Sequence, residues 1–142
     1  MKFGNLGDYS FDRDASENGT PIDLGQGRVL YVRQAGGFNR RFDHLVATRA
    51  GERALFEISD PIEQRLEWDR LNIEVAAEAL IAGWEGIEDP DGQAVEFSAA
   101  AALELLTQHP RLAELVLSEA YKEENFRNAE ECKSAFPNGA VG

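Results

Sequence analysis

Asp60-Pro61-Ile62-Glu63-Gln64-Arg65-Leu66-Glu67-Trp68-Asp69-Arg70-Leu71-Asn72-Ile73-Glu74-Val75 is the stretch from which the fold is read. An acid that can accept backbone N–H bonds, a proline at the first helical position and a glutamate placed to close a capping-box-like pair mark a helix start. Beyond it, Ile62, Leu66, Ile73, Ala77, Leu80 and Trp84 recur on one stripe. Trp68, Leu71, Val75 and Ala79 recur on a second. The spacing predicts a helix over 60–84, covered on two sides, with Trp68 and Trp84 near opposite ends and Gly86 as the glycine past its end.

Upstream, Phe38, Phe42, Leu45 and Val46 share a helical stripe, which predicts a helix over 38–49 with Phe38 and Phe42 as structural anchors. Before that, Pro21-Ile22-Asp23-Leu24 and Arg28-Val29-Leu30-Tyr31-Val32-Arg33 flank Gly25-Gln26-Gly27, a β-hairpin pattern over 21–34. A lone hairpin is marginal in water, so its apolar face must pack on the helices. Residues 1–20 show no period and read as an irregular arm, with Phe3, Tyr9 and Phe11 as the aromatics.

Downstream, Asp89-Pro90-Asp91-Gly92 is a turn signal within a loop from Ile87 to Glu96. Ser98 is placed to cap an alanine-rich helix over 98–108, and Pro110 to open another over 110–134. From Tyr121 that last helix turns polar and is expected to project unless a partner covers it, with residues 137–142 as a disordered tail. The fold class expected is α+β and mostly α-helical, an N-terminal hairpin packed on a bundle of about four helices. The 142 residues predict one globular domain over 21–136.

Twenty-six acids against fourteen bases give a net charge of −12, which argues against binding phosphate backbones. The charge is uneven: residues 25–53 hold Arg28, Arg33, Arg40, Arg41, Arg49 and Arg53 against Asp43 and Glu52. A basic segment on an acidic body could draw a second copy head to tail. No apolar run approaches the ~20 residues of a membrane span, and Met1-Lys2-Phe3-Gly4 opens no signal-peptide pattern, so a cytoplasmic place is expected.

Catalytic signals are weak. His44 and His109 lack a second ligand at metal spacing, and His109 sits where it would cap. Cys132 follows Glu130 and Glu131, neighbours that disfavour a thiolate. Gly25-x-Gly27 lacks the third glycine and helix of a dinucleotide loop, and the acids near Asp89 lack a calcium-loop ligand pattern. No catalytic residue, metal or cofactor is expected. Partner-facing candidates are Arg40, Arg41, Tyr121 and Phe126.

Leu80-Ile81-Ala82-Gly83-Trp84-Glu85-Gly86-Ile87, then Asp91-Gly92, then Val95-Glu96-Phe97-Ser98 and an Ala/Leu helix, form one further pattern. It resembles the tail assembly chaperones of long-tailed (siphovirus-type) bacteriophages and prophages, in which a Gly-Trp-x-Gly-aliphatic segment, an Asp/Gly turn and an aliphatic-x-Phe-Ser step follow one another. The resemblance covers roughly residues 18–125, with 80–106 its specific part. It implies a protein without catalytic residues that binds the tape measure protein and keeps it soluble while tail tube subunits polymerise. It also implies a longer frameshifted form that contacts the tube protein, self-association, action in the host cytoplasm and absence from the mature virion. Independently of the resemblance, Gly83 and Gly86 are placed to let the backbone turn tightly beside the Trp84 indole, Ile87 and Phe97 to return to the core, and Ser98 to cap the next helix, a folding device rather than a reactive site. The competing reading is a small acidic regulator or inhibitor that mimics nucleic acid; a metal-dependent hydrolase is a third.

Overall fold

The computed structural model describes residues 4–37 and 39–127. Phe38, Cys132, the end of the expected 110–134 helix and the 137–142 tail lie outside them. The fold is α+β and mostly helical: α1 (Arg13–Asn18), β1 (Thr20–Gly25), β2 (Arg28–Val32), α2 (Arg41–Glu52), α3 (Pro61–Val75), β3 (Ile81–Glu85), α4 (Ala99–Gln108) and α5 (Pro110–Tyr121). The sheet order is β1-β2-β3 with both pairs antiparallel.

The local stop and start signals are used as written. The Asp60 carboxylate accepts the Ile62 N–H at 3.1 Å, and Pro61 opens α3. The Ser98 hydroxyl accepts the Ala101 N–H at 3.0 Å, and Pro110 opens α5. His109 ends α4, its ring Nδ1 lying 2.9 Å from the Leu105 carbonyl. The hairpin forms across Gly25-Gln26-Gly27, where all three residues take positive φ.

The long helix does not run to 84. It ends at Val75, widens into a π-helical turn over Ala76–Leu80, and becomes a strand at Ile81. Trp84 therefore lies opposite Leu30 in a sheet and shares no helix with Trp68. The cause is tertiary: β2 offers its second edge, and unpaired strand groups gain more from a ladder than Ile81–Glu85 gains from one more helical turn. The hairpin is thus two strands of a three-stranded sheet. Ala76, Ala77 and Ala79 in the turn are buried, and their small side chains let α4 and α5 approach closely.

The core joins Leu30 and Val32 of the sheet to Leu71, Val75, Leu80, Ile81, Leu106 and Val116, all at most 1% exposed. Phe42 anchors α2 there at 4% exposure. The expected arm is partly regular, with a 3-10 turn over Gly7–Tyr9 and the short α1, whose Asp12 carboxylate caps Ala15 N–H at 3.1 Å. The chain after Tyr121 does not project within the described residues. It folds into a 3-10 turn over Glu123–Phe126, and the Phe126 carbonyl accepts the Asp12 N–H at 2.7 Å. The ring of Phe126 is 1% exposed, because the arm supplies the cover that its own helix lacks.

Candidate partner-binding surfaces

The Gly-flanked tryptophan builds a corner between β3 and α4. The Trp84 indole N–H donates to the Val95 carbonyl at 2.8 Å, and its ring meets Phe97 edge-on with centroids 5.1 Å apart. Val95 N–H returns to the Ile87 carbonyl at 2.8 Å, closing the loop. Inside it the Asp89 carboxylate accepts the Asp91 and Gln93 N–H groups, so that acid is spent on a turn. Gly86 takes φ +74°, and a Cβ there would strike the Gly27 carbonyl. Gly83 differs from the expectation of a tight turn. It lies in β3 opposite Tyr31, and a Cβ there would meet open space.

Beside this corner lies an open groove of ≈370 Å³ lined by the apolar Leu24, Ile87, Leu105 and Leu112 together with Arg28, His109 and Arg111. Sequence reading missed it, because its lining comes from the hairpin, the Trp84 loop, α4 and α5. The Arg28 guanidinium is held by the carbonyls of Leu24 at 2.8 Å and Gly25 at 3.0 Å.

The basic segment is not a free patch. Arg49 pairs with Glu78 at 2.6 Å and with Glu74 at 3.8 Å, and Arg53 pairs with Glu74 at 2.6 Å, fastening α2 to α3. Arg33 donates to the Glu17 and Ala79 carbonyls; its burial, and then the nearby charge of Arg41, lower its pKa. Arg40 and Arg41 are exposed at the start of α2. Tyr121 stacks edge-on against Phe42, one residue on, with centroids 6.3 Å apart. Its hydroxyl donates to Asp43 at 3.4 Å, and burial followed by that carboxylate raises its pKa. Tyr121 therefore sits at the contact between α2 and the end of α5, whereas Arg40 lines a recess on the arm side with Phe11, Arg13, Ser16, Glu17 and Asn39. Phe126 faces no partner, being buried under the arm.

Three residues the sequence did not single out tie the arm to the chain that follows β2. The buried Ser16 hydroxyl donates to the Gln34 side-chain oxygen at 2.8 Å, and the Asn39 amide donates to the Ser16 carbonyl at 3.1 Å. A small polar residue with no periodic neighbours carries no signal of burial.

Among the described residues, no group of three or more His, Cys, Asp or Glu is arranged to hold a metal ion. No helix among them is long and apolar enough to cross a membrane. The family model described as YdaY prophage protein matches residues 37–135. The chain matches no curated protein and no solved structure.

Proposed function

The chain belongs to the YdaY prophage protein family, and from that premise we propose that it is a non-enzymatic tail assembly chaperone. In this reading it binds the tape measure protein of its prophage, keeps that long helical ruler soluble, and helps recruit tail tube subunits, the latter through a longer frameshifted form. It acts in the host cytoplasm, self-associates, and leaves before the particle is finished.

The observation that carries the reading is the groove over Leu24, Ile87, Leu105 and Leu112. It is open to solvent and lined mainly by apolar side chains, which suits apolar side chains presented by a helix better than a sequestered small molecule. Arg28 and Arg111 bring positive charge to it on a body of net charge −12, so an apolar helix carrying acids beside its stripe fits best. The Trp84 corner supports the groove by fixing the path of the chain through Ile87, whose carbonyl accepts the Val95 N–H. Many weak sites of this kind along one ruler give avidity while leaving each contact reversible.

The test is co-expression with the long helical protein encoded just downstream. The reading expects that protein to co-purify with this chain and to fall into the insoluble fraction without it. Equal solubility in both cases ends the reading. Substituting Leu105→Glu and Leu112→Glu, both half-buried at the groove, should remove the protection while circular dichroism stays unchanged.

A further inference from the structure

One side of α3 has no cover among the described residues. The sequence led us to expect both of its stripes to be packed, yet Ile62 is 73% exposed and Leu66 51%. With Asp69 and Ile73 they lie within about 60° of one another on the helix surface, at about 100° per residue. The opposite stripe, Leu71 and Val75, is fully buried. At its C-terminal end the bare stripe opens into a groove of ≈380 Å³ between α3 and α5, lined by Ile73, Ala113 and Leu117 with Arg65, Asp69, Asn72 and Glu114. A protruding apolar side chain and an apolar recess thus share one helix face, eleven positions apart.

We propose that this face pairs with the same face of a second copy, as an antiparallel α3–α3 dimer with its two-fold axis near Glu67. In an isologous contact, residue i meets residue j and j meets i. An axis at that level sets Ile62 against the partner's Ile73 recess, and Leu66 close to its own counterpart. The charges beside the stripe match in the same register. Glu63 faces Arg70 of the other copy, and Arg65 faces its Asp69, each pair occurring twice. The stripe, its recess and its flanking charges are thus complementary to a second copy of the same helix in antiparallel register, and that self-complementarity is what assigns the face to a second copy. Within one chain, Arg65 reaches Asp69 at 3.3 Å and Arg70 reaches Glu67 at 2.6 Å, so these groups already stand along the flanks of the stripe.

The inference rests on the self-association in the reading above and not on the tape measure protein, whose protection is read separately by co-expression. Sedimentation velocity of the purified chain from about 1 to about 200 μM is the test. The expected result is a monomer–dimer equilibrium within that range. Leu66→Glu should abolish it, with unchanged circular dichroism and melting, because Leu66 is exposed in the single chain. Glu63→Arg should weaken dimerisation at least about fivefold, and adding Arg70→Glu should restore it by rebuilding both pairs with reversed sign. A chain that stays monomeric throughout overturns the inference, even if the face then captures a different protein. So does a dimer that survives Leu66→Glu, or a double charge variant no stronger than the single one.

Discussion

The backbone of Gly86 rests on the carbonyl of Gly27, so that the turn of the hairpin and the exit of β3 touch with no room for a side chain between them. The contact locks the β1–β2 turn to the Trp84 corner. Both glycines also take positive φ, at 74° and 76°. Gly86→Ala must therefore strain its own backbone and displace that of Gly27, and we expect a loss of about 2 kcal/mol or more in urea unfolding. Gly83→Ala, three residues earlier and facing open space, should change stability by less than about 0.5 kcal/mol. Equal losses at the two positions would refute the distinction.

Trp84→Phe keeps a ring against Phe97 and removes the N–H that satisfies the Val95 carbonyl. The expected cost is about 1–2 kcal/mol, the price of leaving a half-buried acceptor unpaired. Measured in a Trp68→Phe background, Trp84 is the sole indole, and its fluorescence should shift to the red on unfolding. An unfolding curve insensitive to Trp84→Phe would show that the ring alone holds the corner.

Phe126 separates two pictures of the chain's end. A projecting tail would tolerate Phe126→Ala, whereas a ring at 1% exposure beneath the arm predicts a loss of about 3–5 kcal/mol. Tyr121→Ala, at 55% exposure, should cost much less stability while testing the α2–α5 edge in partner binding. Thermal melting of the two variants side by side gives the answer.

Glu119 supplies a pH signature. Its carboxylate accepts from Lys122 and from Asn125, each at 2.7 Å, and the Lys122 bond, then the Asn125 bond, hold its pKa below the usual carboxylate value. A lowered folded-state pKa means stability that is present above the unfolded value of 4.5 and is lost as pH falls through the lower folded value. Glu119→Gln should remove that acid-side dependence while leaving other carboxylate titrations in place. Identical stability-versus-pH curves below pH 4.5 for the two proteins would show that the turn after α5 does not depend on the charge.

Signals that act over a few residues were legible in the sequence. Asp60-Pro61, Ser98, His109-Pro110 and Gly25-Gln26-Gly27 are boundaries because each side chain or backbone acts on atoms within about four residues. The α+β class follows from those boundaries and the periodicities between them. The resemblance carried by Gly83 to Ser98 also pointed to a prophage protein from residues contiguous in the chain. The tertiary structure decided the rest. Ile81–Glu85 has helical spacing, yet it is a strand because the edge of β2 meets it, with Tyr31 donating to Glu85 across 54 positions. Arg49 and Arg53 look like a free basic patch until α3 and the π-helical turn after it bring Glu74 and Glu78 to them. Phe126 looks like a partner anchor until Asp12 folds over it from the opposite end of the chain. In each case the partner that settles the matter is distant in sequence, and no pattern within a helix turn or a strand pair encodes which distant surface will arrive.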